Sequence, residues 1–144
     1  MFKSLFALGF IAGTALAQSA FIGIPVAGAT LTSGANYTFQ IQCPDSLTSS
    51  EQIAIVIGIQ QCVGGQCASP DETMGAVLYN GLFDPQFHEA GLPPYQNFTV
   101  QMPDTVSTST ESALVGLAHF ALVGDSNIPL IDFQNQSVTL IECL

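Results

Sequence analysis

The sequence predicts an all-β protein, a single immunoglobulin-like antiparallel β-sandwich of about seven strands with two disulfides. Short runs rich in Val, Ile, Phe, Tyr and Thr alternate with clusters of Gly, Pro, Ser and Asp, and this punctuation is typical of β-sandwiches. Several runs alternate apolar and polar residues. All four cysteines follow residue 17, which favours a cross-linked exported domain.

Residues 1–17 have the layout of a secretory signal peptide. Lys3 supplies a cation, an apolar run extends to Ala15, and Ala17 precedes the expected cleavage point. Cleavage there would leave residues 18–144 as one domain. Since no later apolar run is long enough to span a membrane, we expect a secreted, extracellular protein.

The first four strands follow the apolar runs in order. The first is placed at 20–26, and the second, at 36–43, alternates apolar and polar residues, which predicts one buried face and one wet face. The third, at 52–60, is apolar on both faces and is predicted to be central. The fourth lies at 75–83.

The last three strands complete the sandwich. The fifth, at 96–102, alternates like the second, and the sixth, at 113–123, is apolar on both faces. An amphipathic helix is the alternative for the sixth, but Gly116 and β-branched neighbours favour a strand. The seventh lies at 134–142. The predicted core contains Phe39, Ile41, Ile53, Ile55, Ile57, Phe98, Val100, Leu117, Phe120, Val138 and Leu140.

The charge balance restricts the partners. Lys3 is the only Lys or Arg, against 11 Asp and Glu, so removal of the signal peptide would change the formal charge from −10 to −11. Without cations the mature chain is not expected to bind nucleic acid or to insert into or dock on a membrane. Its stability must come from apolar burial, hydrogen bonds and cross-links.

Cys43, Cys62, Cys67 and Cys143 are predicted to form two disulfides. If the strands alternate in direction, Cys62 and Cys143 share one pole, which favours a Cys62–Cys143 bridge and a Cys43–Cys67 bridge. A local Cys62–Cys67 bridge with Cys43–Cys143 stays open. A zinc site on Cys62 and Cys67 is the rival, but exported chains usually oxidise such pairs, so we expect no metal and no cofactor.

Three sequons have no proline at the middle position and qualify for N-glycosylation in a eukaryotic secretory pathway. They begin at Asn36, Asn97 and Asn135.

The titratable residues indicate no catalytic site. His119 lies in an apolar run and is predicted to be a packed, locally hydrogen-bonded strand residue, while His88 lies in a polar loop beside Glu89 and Asp84. A metal or an acid–base pair at His88 is the alternative to a solvated loop. No serine lies in a G-x-S-x-G elbow. We therefore expect a protein that is not an enzyme and has no catalytic residues.

The order of short motifs along the chain resembles the fungal necrosis-inducing secreted protein family. The resemblance spans nearly the whole mature chain and departs from the family pattern at the cysteine-bearing segment Gln60 to Thr73 and at Cys143. The motifs are Gly23-Ile24-Pro25, the turn Leu31-Thr-Ser-Gly34, Gln52-Ile53-Ala54-Ile55 with Gly58, Met74 to Tyr79 with Gly81 and Pro85, Asn97 to Val100 with Pro103, Ala113 to Pro129, and Asn135 to Thr139.

The resemblance implies a secreted effector that binds host proteins and suppresses plant pattern-triggered immunity, through kinases associated with immune receptors. Such a protein would have to enter the host cell after export. It implies no particular partner-binding residues. The alternative is a structural or carbohydrate-binding sandwich of the fungal cell surface, which effective pull-down by chitin, glucan or cellulose would favour.

Overall fold

The computed structural model describes residues 19–104 and 110–143. The predicted signal peptide and residues 105–109 lie outside the described residues. Within them the chain forms eight strands and no helix, so it has no helix that could cross a membrane. The strands are β1 (Phe21–Ile24), β2 (Thr30–Thr32), β3 (Asn36–Gln42), β4 (Ser50–Gln61), β5 (Ala76–Leu82), β6 (Tyr95–Gln101), β7 (Glu111–Val123) and β8 (Ile128–Ile141).

The strands form two sheets with the core between them. A three-stranded sheet has the order β1-β3-β6, and a five-stranded sheet has the order β2-β8-β7-β4-β5. All-β structure is therefore confirmed, and each of the seven predicted strands overlaps an observed one. The purely antiparallel prediction is wrong at one edge, because β2 pairs with β8 in parallel. This sheet order does not establish the immunoglobulin-like arrangement.

The strand that the sequence prediction missed is β2. Two of its three residues, Leu31 and Thr32, belong to the turn that the motifs indicate, and so short a segment shows no periodicity. Leu31 is nevertheless 2% exposed and lies opposite Leu140 in the parallel register. A strand of this kind is defined by its distant partner and not by its own sequence.

The last strand begins at Ile128, six residues before the predicted start. Pro129 interrupts the β-forming pattern there. Proline is tolerated where one side of a strand has no partner. On the side of β8 away from β7, β2 pairs only from Thr139 onward, so Pro129 lies where that side is unpaired.

The predicted core is largely correct. Nine of its eleven residues are buried, whereas Ile53 and Phe120 are only partly buried. Phe120 alternates with buried neighbours on β7 and therefore faces the outer side of the five-stranded sheet. Phe83 and Met102, each 1% exposed, belong to the core as well.

The loop between β4 and β5, residues 62–75, packs back onto the outer face of the five-stranded sheet. Gly58 and Gly116 lie opposite each other on that face. A Cβ on Gly58 would collide with the carbonyl of Met74, and one on Gly116 would press against Pro70. Two glycines thus form a flat area on which this loop, hereafter the stapled loop, packs.

Candidate functional site

A buried polar cluster lies on the inner face of the five-stranded sheet. His119 is 1% exposed, and its Nδ1 lies 2.6 Å from Oδ1 of Asp132. Its Nε2 lies 2.5 Å from Oε1 of Gln52. The ring of Phe83 packs edge-on against the imidazole with 5.7 Å between centroids. We call His119, Asp132 and Gln52 the histidine cluster.

Strand register brings the histidine cluster together. His119 on β7 lies opposite Asp132 on β8 and opposite Ile55 on β4. On β4 the inward positions are odd-numbered, but a register shift between Gln52 and Ala54 places Gln52 opposite the inward-facing Ala121. Because a shift of one residue exchanges the two faces of a strand, this irregularity turns the Gln52 amide toward the histidine.

The hydrogen bonds define the charge that the histidine cluster can hold. Nε2 of Gln52 donates to Oγ of Ser50 at 2.9 Å, which leaves Oε1 of Gln52 as an acceptor. With oxygen acceptors at both ring nitrogens, the bonds are complete when His119 is an imidazolium paired with the Asp132 carboxylate. Turning the Gln52 amide over would suit the neutral ring instead. Oδ2 of Asp132 is buried without a hydrogen-bond partner.

An open cleft lies beside the histidine cluster at the same end of the sandwich. Its volume is about 580 Å³, and Gln52 and Phe83 form part of its wall. Three carboxylates line it, those of Asp45, Glu51 and Asp84. Residues 19–143 contain no Lys or Arg, so no side-chain cation of those types offsets this charge in the described chain. The remaining lining includes Ser46, Thr48, Ser49, Ser50, Pro85 and Pro94.

The floor of the cleft carries a buried thiol. Cys43 is 5% exposed and is not in a disulfide. The pKa of the Cys43 thiol is raised to about 11, first by burial and then by the nearby carboxylates of Asp132 and Asp45. A protonated thiol is a poor nucleophile. At neutral pH, Cys43 is therefore a lining residue of the cleft and not a reactive group.

His88 lies on the surface in a separate arrangement. Its ring stacks on that of Tyr95 at 4.3 Å, and its Nε2 lies 3.1 Å from the Tyr95 carbonyl oxygen. The Tyr95 hydroxyl donates to Glu89 at 2.8 Å, and this bond raises the pKa of Tyr95. In the described parts of the chain, no three His, Cys, Asp or Glu side chains come together as metal ligands. The loop around His88 is thus ordered by its own contacts.

A family model matches residues 16–139, most of the chain. The chain belongs to the Nis1 family. This is a family of fungal effector type, so the resemblance found in the motifs is confirmed at the level of the family, while the match does not address necrosis induction. Membership and the disulfide described below indicate a secreted protein.

Other comparisons are sparse for this Nis1-family protein. No curated protein matches it. Among solved structures it is similar to a superoxide reductase (neelaredoxin) from Ignicoccus hospitalis, with 9% identity and a TM-score of 0.45. That similarity covers 84% of this chain and 80% of the other.

The cysteines of this Nis1-family protein depart from the favoured pairing. Cys62 and Cys67 form a local disulfide with 4.3 Å between Cα atoms, whereas Cys43 is buried and free and Cys143 is exposed and free. The prediction of two disulfides and the Cys62–Cys143 and Cys43–Cys67 pairing are therefore wrong. The local alternative is correct for its first bridge only.

The strand geometry explains why the second bridge is absent. Cys43 lines the cleft with Gln52, which lies opposite Ala121 and thus at the level of Leu130 in β8. Cys143 follows the other end of β8. From the level of Leu130 to the end of β8 at Ile141 the strand rises roughly 36 Å at about 3.3 Å per residue, so the two thiols lie far beyond disulfide reach. Cys62 does share a pole with Cys143, because its N–H donates to Ser112, which pairs with Thr139.

The three sequon asparagines are all exposed. Asn36 and Asn97 lie on β3 and β6, on the outer face of the three-stranded sheet, and Asn135 lies on the outer face of the five-stranded sheet, opposite Gly116. Glycosylation itself stays a prediction. Its positions are compatible with the fold because none of the three side chains is buried.

The sequence interpretation found the burial of His119 but missed its partners. The histidine is packed as predicted, yet its hydrogen bonds reach Asp132 and Gln52 on other strands. One signal was available, since aspartate is depleted in strands and Asp132 interrupts an apolar run. The register shift that turns Gln52 inward has no visible signal in the sequence.

Proposed function

We propose that this protein is an effector that binds host proteins and suppresses plant pattern-triggered immunity through immune-receptor-associated kinases. The observation that carries the proposal is membership of the Nis1 family over residues 16–139. The partner class comes from the resemblance of the motifs, and the mode of action is binding without turnover of a substrate.

The acidic lining of the cleft favours a partner with a basic surface. Asp45, Glu51 and Asp84 line it, and hydroxyl groups of the loop after β3 supply further acceptors. Opposite potentials accelerate encounter, and salt screens this gain. A kinase surface rich in Lys or Arg would therefore associate faster at low ionic strength. At high salt the affinity should fall, mostly because the association rate falls.

The test measures binding to purified plant immune-kinase domains at several salt concentrations. A cleft variant carries Asp45→Asn, Glu51→Gln and Asp84→Asn. Its matched control removes the same charge elsewhere, through Asp71→Asn and Glu72→Gln in the stapled loop and Glu142→Gln after β8. We expect roughly tenfold slower association for the cleft variant at low salt, with a smaller change for the control.

Leaf expression tests the biological part of the proposal. The wild-type protein is expected to reduce the early oxidative response to microbial patterns, and the cleft variant to reduce it less. Equal loss of binding in both variants would reject the cleft but not the function. Absence of kinase binding together with an unchanged leaf response would reject the function, and capture by insoluble chitin, glucan or cellulose would then favour the cell-surface alternative.

A further inference from the structure

The outer face of the five-stranded sheet keeps an apolar area that the stapled loop does not cover. Ala118 and Phe120 on β7 lie beside Phe133 and Ile131 on β8. Ile131 is 62% exposed and Phe133 is 42% exposed. We call these four residues, with Val56 on β4, the outer apolar patch. Contiguous exposed apolar residues mark interaction surfaces more often than single ones do.

A predicted glycan attachment point lies on the margin of this patch. Phe133 and Asn135 are two residues apart on β8, and such residues project from the same face about 7 Å from each other. Both are exposed. Gly116 lies opposite Asn135 but is already covered by Pro70 and Met74. A sugar on Asn135 is therefore turned away from β7, and one of the directions open to it runs along β8 over the Phe133 ring.

We propose that the first N-acetylglucosamine on Asn135 stacks on Phe133 and covers the β8 margin of the outer apolar patch. The C–H groups on one face of a pyranose carry partial positive charge, and the face of an aromatic ring carries partial negative charge. Stacking also removes apolar ring surface from water. The chain's own glycan is thus the occupant of this surface, and the inference rests on the Asn135 sequon and not on the proposed function.

The other two sequons provide internal controls. Asn36 is preceded two positions earlier by Gly34, which offers no side chain. Asn97 is preceded by Tyr95, but that ring is 8% exposed and is engaged by His88 and Glu89. On the three-stranded sheet the neighbouring outer positions are polar, including Thr38 and Thr99. Neither of these two asparagines therefore has a free aromatic ring two residues before it, as Asn135 has in Phe133.

The experiment uses the protein secreted from a eukaryotic host, with site occupancy measured by mass spectrometry. Glycans are trimmed enzymatically to the first N-acetylglucosamine, and the melting temperature is compared for Asn135→Gln, Asn36→Gln and Asn97→Gln. We expect Asn135→Gln to lower the melting temperature by about 3 °C and each control by less than about 1 °C. In a Phe133→Thr background the effect of Asn135→Gln should fall by at least half.

A direct measurement does not depend on stability. Sugar protons above an aromatic ring shift upfield in the NMR spectrum, and the Asn135-linked sugar should show this shift in the wild-type protein and lose it in Phe133→Thr. An unoccupied Asn135, equal melting effects at all three sites, or sugar shifts that Phe133→Thr leaves unchanged would each overturn the proposal.

Discussion

The two ends of the sandwich interior differ in how they are filled. At the closed end, β8 presents Val138 and Leu140 to the core, and Leu31 and Val115 pack with them. At the cleft end the inward position of the same strand is Asp132, which pairs with His119. One strand thus changes from apolar to polar on a single face.

The comparison shows that apolar burial and polar contacts occupy opposite ends of a domain whose residues 19–143 contain no Lys or Arg. The closed end is stabilised by burial, which needs no charge. The cleft end holds the partly buried carboxylate of Asp132, which His119 contacts. We therefore expect the closed end to respond to side-chain volume and the cleft end to respond to pH and to charge.

The largest effect is expected at the closed end. Leu140→Ala should lower the free energy of unfolding by about 2–5 kcal/mol, because it removes a buried side chain and leaves a cavity. Ile131→Ala, on the exposed face of the same strand, should change it by less than about 0.5 kcal/mol. Chemical denaturation measures both, and similar values would show that the two faces of β8 are not distinguished by burial.

The thiol of Cys43 should make the free energy of unfolding fall at alkaline pH. Its pKa is about 11 in the folded protein against a reference of 9.0, so the folded state holds the proton more tightly. The stabilisation is complete below pH 9 and is lost as pH rises through 11. Denaturation at a series of pH values should show this loss.

Two variants separate this loss from other alkaline effects. Cys43→Ala should reduce the loss of stability above pH 9 to the part that comes from Tyr95, whose pKa is also raised, and Cys143→Ala, at an exposed thiol, should retain the full loss. A loss in Cys43→Ala as large as that of the wild type would contradict the assignment. Alkylation of the native protein should likewise label Cys143 and spare Cys43.

Breaking the contact between His119 and Asp132 should have a smaller effect. Asp132→Asn keeps the shape of the side chain but removes the charged acceptor for Nδ1 of His119, and should cost about 2 kcal/mol. The exposed Asp125→Asn is the matched control. Combined with His119→Gln, Asp132→Asn should be non-additive by more than about 0.5 kcal/mol. Strict additivity would show that the two groups are not coupled.

The smallest effect is expected at Gln52. Gln52→Met keeps an unbranched side chain but removes the hydrogen bond to Nε2 of His119, and should lower the free energy of unfolding by about 1 kcal/mol. Gln52→Glu should recover stability, because a carboxylate can accept from the imidazolium. A Glu variant less stable than the Met variant would indicate that His119 is neutral.

Local patterns were sufficient for most of the fold. The alternation in β3 and β6 predicted their buried faces correctly, and the two-sided apolar runs of β4 and β7 predicted the central pair. The features that failed depend on contacts between distant segments. The pairing of β2 needs β8, the inward turn of Gln52 needs the register of β4 against β7, and the cysteine pairing needs the length of β8.

The candidate site was less predictable than the fold for the same reason. The burial of His119 could be predicted from its apolar neighbours. No residue adjacent to it in sequence indicates that Asp132 and Gln52 are its hydrogen-bond partners. The acidic lining of the cleft comes from the loop after β3, the start of β4 and the loop after β5. Side chains that converge from separate segments leave no spacing pattern in a single sequence.

The parallel pairing of β2 with β8 has a consequence for the order of events during synthesis. Thr30 pairs with Thr139, so one of the first strands made waits for the last one. Contacts between such distant segments slow folding, because a long loop must close before they form. The five-stranded sheet cannot be completed until residues 139–141 have left the ribosome. All three sequons precede these residues in the sequence, so they emerge from the ribosome before the sandwich can close around its core.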